Sequence, residues 1–213
     1  GFNDMNANKE WLFASPQSED QSAYYWTAPF AFIDHTTTSY YATYINADFV
    51  SKFSNTDVRN LFVASSTITN PADFRRYTTR KFKFNFGSDV PLIRTAEMIL
   101  IDAEALARTP GKEAEAHDLL YALQKNRDVN AVKSTNTGAA LIDEILLERR
   151  KELYAENGVE WFDAKRLRKG ITRTGNHRIF KNLSADDKRF FLKVPQSEID
   201  ANESIDDTVN KDR

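Results

Sequence analysis

Residues 141–168 read LIDEILLERRKELYAENGVEWFDAKRLR, and this stretch decides the fold. Its first half predicts an amphipathic helix, because apolar residues recur there at helical spacing. These residues are Leu141, Ile142, Ile145, Leu146 and Leu153. Arg149 falls on the same apolar stripe, and a buried arginine requires a carboxylate to offset its loss of hydration. We therefore expect Arg149 to be buried and paired with Glu97 or Glu104 of a neighbouring helix.

Two further helices are predicted before this stretch. Residues 92–108 are apolar on almost every side, which is typical of a helix that is buried on most of its faces. The Thr-Pro-Gly sequence at 109–111 ends that helix, and residues 112–129 predict a second one. A helical hairpin of this length is typical of a tetratricopeptide unit. Residues 91–213 therefore predict a mainly α region of tetratricopeptide-like helix pairs, an α–α superhelix.

Residues 1–90 have a different character and predict a loop-rich lobe with a few short strands. A short strand is expected at 10–15 and a short helix at 47–53. The sequence RKFKFNF at 80–86 alternates strictly, which predicts a strand with Phe82, Phe84 and Phe86 on one side. We therefore divide the chain into a lobe, residues 1–90, and a helical region, residues 91–213.

Composition excludes several classes of function. The chain has 213 residues, a net charge of −2 and no cysteine, so it offers no thiolate nucleophile, no cysteine-based zinc site and no basic surface for nucleic acid. Its three histidines, His35, His117 and His177, are widely separated. Phosphate-loop, dinucleotide and nucleophile-elbow patterns are absent from the sequence, and no apolar run is long enough to span a bilayer. We expect no metal, no cofactor and no catalytic residue.

Three blocks of sequence resemble the C-terminal half of the SusD/RagB family. The first is RTAEMILIDAEAL at residues 94–106, and the third is VPQSEIDAN at residues 194–202. The second is the order ERR, EL, E, G, WFD and R within residues 148–166. The chain departs from the family pattern at Glu160, where an arginine often precedes WFD, and at Glu203, where a proline is common.

The resemblance implies a nutrient-binding outer-membrane lipoprotein of Bacteroidetes. It implies non-catalytic capture of an oligosaccharide at the cell surface and its delivery to a SusC-like TonB-dependent transporter. Family members are more than twice this long and carry a lipid anchor on a cysteine that this chain lacks. We therefore expect a C-terminal fragment or a short relative, held at the membrane only through such an anchor.

Aromatic residues of the lobe are the candidate ligand face. Sugar rings stack on tyrosine and tryptophan through their apolar C–H faces, while amides and carboxylates bind their hydroxyl groups. Adjacent aromatics cannot all turn inward, so some of those in the lobe should face a ligand. The candidate residues are Tyr24, Tyr25, Trp26, Tyr40, Tyr41 and Tyr44, with Asn46 or Asp48 as polar partners.

Other functions are compatible with the same sequence. A RagB-like protein would capture a peptide or glycopeptide, and its ligand would favour pockets over flat aromatic platforms. An all-α glycoside hydrolase would need two carboxylates facing a cleft, and Glu97 and Glu104 share a helix face. A tetratricopeptide scaffold for protein partners would show a concave helix groove.

Two motifs have both a functional and a structural interpretation, and we favour the structural one for each. Glu97 and Glu104 could act as an acid–base pair, but buried carboxylates usually pair with arginines, here Arg149, Arg150 or Arg127. Similarly, Trp161 and Phe162 could form a sugar platform with Asp163, but aromatics within helices usually pack into a core. We expect these two rings in the core and Asp163 to cap the helix or pair with Arg166.

Overall fold

The computed structural model describes residues 4, 6–18, 20, 32–35, 43–83 and 87–211. These residues are mainly helical with a few short antiparallel strands. The helices are α1 (Ala47–Val50), α2 (Thr95–Ala107), α3 (Glu113–Arg127), α4 (Gly138–Leu153), α5 (Val159–Arg166) and α6 (Gln196–Ala201). The strands are β1 (Trp11–Ser15), β2 (Phe62–Ala64), β3 (Tyr77–Thr79) and β4 (Val90–Arg94). The predicted mainly α fold is confirmed.

The described chain forms two compact units. The first contains Gly1–Val159 together with Gly175–Arg178, and the second contains Glu160–Thr174 and Ile179–Arg213. The first unit thus combines the predicted lobe, residues 1–90, with α2, α3 and α4. The predicted use of that lobe for ligand binding stays a prediction.

Helices α2, α3 and α4 pack around one apolar core. Leu100 of α2, Leu120 of α3 and Leu141 and Ile145 of α4 are fully buried there. Alanines fill the places where the helices approach each other closely, among them Ala103. Burying each large aliphatic side chain stabilises the fold by about 1.5–3 kcal/mol. This core is the helical hairpin plus third helix that the periodicity predicts.

The apolar sequence of α2 is less buried than its pattern predicts. Met98 is 39% exposed and Ile101 is 48% exposed. The core helices cover only the face that carries Leu100 and Ala103. Prediction and structure therefore differ on the opposite side of this helix.

The strands form two small antiparallel sheets. One pairs β1 with β4, with Phe13 opposite Ile93, and the other pairs β2 with β3, with Phe62 opposite Thr79. The expected strand at 10–15 is confirmed by β1. The expected strand at 80–86 is wrong over its described part, because β3 ends at Thr79. Phe84 and Phe86 lie outside the described residues.

Residues 81 and 82 explain why the alternating pattern failed. Phe82 is 1% exposed and its neighbour Lys81 is 9% exposed, so both point inward. Adjacent residues of a strand would face opposite sides. The Lys81 ammonium donates hydrogen bonds to the carbonyls of Glu152 at 2.9 Å and Tyr154 at 3.0 Å. Lys81 is therefore buried and hydrogen-bonded, whereas the alternating pattern predicts that it faces solvent.

A second apolar core fixes α1. Its buried side chains are Ile45, Phe49, Phe53 and Tyr154. Phe49 and Phe53 meet edge to face with centroids 5.1 Å apart. The helix predicted at 47–53 is confirmed only as far as Val50, where α1 ends. The Tyr154 hydroxyl lies 2.9 Å from the Thr79 hydroxyl, which ties this core to β3. This apolar core and its link to β3 therefore fix the position of α1.

The charged residues of α4 belong to a network of ion pairs. Its cations are Arg59, Lys81, Arg94, Arg127 and Lys151, and its carboxylates are Glu10, Asp57, Glu148, Glu152 and Glu156. Five positive and five negative charges leave the network neutral, which is the condition for burying most of them.

Glu152 is the centre of this network. Its carboxylate accepts hydrogen bonds from Arg59 at 2.9 Å, Arg94 at 3.0 Å and Arg127 at 3.1 Å. Burial alone would raise the pKa of Glu152, but the hydrogen bond and charge of Arg127 and the charges of Arg94 and Arg59 lower it to about 2. Arg94 also binds both oxygens of Glu156, at 2.8 and 2.9 Å. The charged residues of the ERRKEL stretch, residues 148–153, therefore have a structural role.

Arg149 lies where the sequence predicts. Its side chain is 9% exposed, and its guanidinium binds Glu97 at 2.8 Å. The other expected acid, Glu104, binds Arg108, which directly follows α2, at 2.8 Å. The expected pairing of Glu104 with Arg149, Arg150 or Arg127 stays a prediction.

The second unit holds the aromatic pair of the WFD motif. Trp161 packs against Phe190 with ring centroids 4.8 Å apart, and Asp163 binds Arg166 at 2.7 Å, as expected. Phe162 is 61% exposed, so its predicted place in a core is wrong. Trp161 and Phe162 are adjacent in α5 and therefore project in different directions.

Candidate functional site

The predicted ligand face is only partly within the described residues. Tyr24, Tyr25, Trp26, Tyr40 and Tyr41 lie outside them. The other three predicted residues, Tyr44, Asn46 and Asp48, lie together where the chain enters α1. These three residues locate the described part of the predicted face.

Tyr44 is part of a small aromatic group. Its ring lies 5.7 Å from Phe74 in an edge-to-face arrangement and 4.9 Å from His35. Nε2 of His35 lies within hydrogen-bond distance, 2.8 Å, of the Thr43 carbonyl. These contacts hold the Tyr44 ring in a fixed orientation.

Asn46 and Asp48 have structural tasks that the sequence does not reveal. Oδ1 of Asn46 accepts a hydrogen bond from the Asp48 amide at 2.8 Å and thereby caps α1. Such a cap satisfies one of the free amides at a helix start. Asp48 is exposed. The side-chain carbonyl of Asn46 is thus engaged in a hydrogen bond with the backbone, while Asp48 is exposed to solvent.

A distant segment, Gly175–Arg178, is attached to the same place. Asn176 is 4% exposed, and its side chain accepts from the Ala47 amide at 2.7 Å and donates to the Asp73 carbonyl at 2.8 Å. Gly175 has φ +71°, and a Cβ there would lie 2.9 Å from Oδ1 of Asn46 and from the Asp48 carboxylate. Any other residue would be strained at this φ and would displace the side chains of Asn46 and Asp48. The segment is therefore fixed in position against the start of α1.

These elements enclose a cavity of about 230 Å³. Its lining residues are Tyr44, Asn46, Phe74, Asn176, His177 and Arg178. The Arg178 guanidinium carbon lies 5.4 Å from the Phe74 ring centroid, within the range of a cation–π contact. The cavity thus combines apolar ring surface with amide, imidazole and guanidinium groups, which suits a ligand that is apolar on its faces and polar at its edges.

Sequence reasoning missed half of this lining. Phe74, Asn176 and Arg178 were not singled out, and His177 was considered only as a metal ligand. Asn176 and His177 stand in a polar stretch after Gly175 that is far from Tyr44 in sequence. The one available signal was the Gly-Asn pair, which indicates a turn but not its partner.

A second cavity, of about 240 Å³, opens beside the ion network. Arg59, Lys81, Arg94, Arg127 and Glu152 contribute to its lining. Each of them is in an ion pair with another network residue. Because these charges already satisfy each other, we assign this cavity to the scaffold.

The acids that could suggest hydrolysis are also paired. Glu97 binds Arg149 and Glu104 binds Arg108, both at 2.8 Å. Within residues 4–211 as described, no cluster of three or more histidines and acids could hold a metal ion. Over the same residues, no helix is long and apolar enough to cross a membrane.

Comparison with solved structures finds close similarity of fold. A SusD-like carbohydrate binding protein from Bacteroides vulgatus has a TM-score of 0.79 and 25% identity over 100% of this chain and 49% of its own. A SusD superfamily protein from Bacteroides thetaiotaomicron has a TM-score of 0.78 and 27% identity over 92% of this chain and 47% of its own. The chain therefore spans about half the length of these relatives. A search of curated proteins returned no match.

The sequence itself matches a protein family. The SusD family profile covers residues 14–210, which include most of the lobe and of both units. The matched range also contains the three sequence blocks at 94–106, 148–166 and 194–202. On this evidence the chain belongs to the SusD family.

Proposed function

We propose that the protein binds an oligosaccharide without cleaving it. The observation that carries this proposal is the cavity at Tyr44 and Phe74, which combines edge-to-face aromatic rings with amide groups in a chain of the SusD family. A sugar ring stacked there would place its hydroxyl groups beside Asn176 and His177. The B. vulgatus relative is itself described as carbohydrate binding.

The proposed binding face extends from this cavity to the other aromatics of the lobe. Tyr44 supplies one ring, and its neighbours in sequence, Tyr40 and Tyr41, would add further stacking surface. Tyr24, Tyr25 and Trp26 complete the proposed face, with Asp48 as an exposed acceptor. A face with several rings suits a chain of sugar units better than a single sugar.

The absence of catalysis belongs to the same proposal. Hydrolysis of a glycoside needs two carboxylates across the scissile bond. Glu97 and Glu104 of α2 are engaged by Arg149 and Arg108, and the described residues that line the cavity include no carboxylate. We expect any bound glycan to be recovered intact.

Location and partner follow from family membership as proposals. We infer that the protein works at the surface of the bacterial outer membrane, held there by a lipid anchor. From that position it would present the captured glycan to a SusC-like TonB-dependent transporter.

Isothermal titration against a panel of oligosaccharides tests the binding. Phe74→Ala should weaken binding of the best ligand about two- to tenfold, because a stacked ring contributes about 0.5–1.5 kcal/mol beyond its burial. Phe180→Ala is the matched control, since Phe180 is 65% exposed and does not line the cavity. Equal affinities of the two variants would contradict the site. Binding of peptides but of no glycan would contradict the function.

A further inference from the structure

Arg178 has no anionic partner among the described residues. Its guanidinium carbon lies 5.4 Å from the centroid of the Phe74 ring, a cation–π contact. A guanidinium carries five N–H donors in a planar fork that fits the two oxygens of a carboxylate. These donors are open to a ligand that enters the cavity.

Arg75 provides an internal comparison. Its guanidinium lies 5.6 Å from the same Phe74 ring. However, Arg75 binds both oxygens of Asp73, at 3.0 and 2.8 Å. The hydrogen bond and charge of Arg75 hold the pKa of Asp73 down at about 2. Of the two arginines on this ring, one is engaged within the protein and the other is available.

The backbone around Arg178 is fixed before any ligand arrives. Asn176, two residues earlier, is buried and bridges the Ala47 amide to the Asp73 carbonyl. Gly175 allows the close approach to Asn46 that this bridge requires. A guanidinium on an anchored segment loses less conformational freedom on binding than one on a loose loop.

The charges at the cavity favour an anion. Among the described residues that line the cavity, Arg178 is the one permanently charged residue and none is a carboxylate. Asp73 and Asp48 lie nearby on neighbouring elements. Asp73 is neutralised by Arg75, and the Asp48 carboxylate borders Gly175 at the start of α1. A ligand with its own acidic group would therefore find a free cation beside two rings.

We propose that the ligand is an acidic saccharide, whose carboxylate or sulfate group binds Arg178 while its ring stacks on Tyr44 and Phe74. This inference rests on the proposed glycan-binding function and narrows its substrate class. A carboxylate of a uronic acid fits the guanidinium fork through two parallel hydrogen bonds. A sulfate ester offers the same charge with a different geometry.

Matched ligand pairs provide the test. Uronic acid oligosaccharides of several linkages are titrated into the protein beside their methyl esters, which keep every ring and replace each carboxylate by a neutral ester. Sulfated and unsulfated forms of one amino-sugar oligosaccharide make the second arm. We expect the free acid or the sulfate to bind at least about tenfold more tightly than its neutral counterpart. This preference should weaken as salt is added.

Three arginine variants assign the preference to a residue. Arg178→Gln should remove it, so that each charged ligand and its neutral counterpart bind this variant with similar affinity. Arg178→Lys should retain part of it, since the charge stays and the fork is lost. Arg75→Lys is the matched control on the same ring: it keeps the positive charge beside Asp73 and should preserve the preference. Thermal melting of each variant confirms that it folds.

The outcomes separate the two proposals. Tight binding of neutral glycans, with no gain from a charged group or no effect of Arg178→Gln, would overturn the acidic ligand and leave glycan binding intact. Failure to bind any glycan, neutral or acidic, would overturn glycan binding and the acidic ligand with it.

Discussion

Two arginine–glutamate pairs of equal length differ sharply in the exposure of their arginines. Arg149 binds Glu97 with its side chain 9% exposed, whereas Arg108 binds Glu104 with its side chain 45% exposed, both at 2.8 Å. We expect Arg149→Ala to lower the free energy of unfolding by about 3–5 kcal/mol, since it removes one partner of a largely buried pair. Arg108→Ala should cost no more than about 1 kcal/mol. Urea denaturation of both variants measures the difference, and similar midpoints would contradict it.

Glu152 makes stability depend on acid pH. Its pKa falls from 4.5 to about 2 in the folded protein. A carboxylate whose pKa is lowered by folding stabilises the fold above its unfolded pKa and loses this effect as the pH falls towards its folded pKa. We therefore expect about 3 kcal/mol of stability to disappear between pH 4.5 and 2.

The variant Glu152→Gln tests that assignment. It should be less stable at pH 7 and should show a flatter decline in melting temperature below pH 4.5. Glu198→Gln, on the exposed helix α6, serves as the control and should follow the wild-type profile. Parallel acid profiles for wild type and Glu152→Gln would show that other carboxylates cause the decline.

At the scale of elements, two glycines have the same backbone conformation but differ in the atoms that surround them. Gly175 and Gly111 have φ of +71° and +78°. A Cβ on Gly111 meets nothing within 4 Å, whereas one on Gly175 would lie 2.9 Å from Asn46 and Asp48. Gly111→Ala should cost about 1–2 kcal/mol from backbone strain alone. Gly175→Ala should cost more and should also weaken glycan binding, because it displaces Gly175–Arg178 from α1. Equal losses of stability would contradict that attachment.

Prediction from sequence succeeded for elements whose apolar residues recur at a regular spacing. It failed where contacts between residues that are distant in sequence determine the structure. Helix α4 and the burial of Arg149 followed from spacing, since an amphipathic helix defines its own inner face. The expected strand at 80–86 failed because Lys81 turns inward to carbonyls at the end of α4. The cavity could not be predicted either, because Asn176 reaches Ala47 across 129 positions of sequence. Such contacts have no local pattern.

The whole molecule consists of two compact units, and each has its own buried aromatic residues. In the second unit Phe190 is 3% exposed and packs on Trp161. We expect Phe190→Ala to accelerate hydrogen exchange in residues 160–174 and 179–210, because it opens a hole in the packing of that unit. Helices α2 and α3 of the first unit should keep their protection. Uniform acceleration across all helices would show that the two units unfold together.

The position of Glu152 also restricts how this sequence can drift in evolution. One carboxylate serves arginines from the lobe, from the entry to α2 and from the end of α3. If the charge at any one of these positions is reversed, the remaining partners no longer face a group of opposite charge. A second substitution at one other position cannot then restore all of the ion pairs. Among descendants of this chain, Arg59, Arg94 and Arg127 should therefore persist together with Glu152 or be replaced together with it.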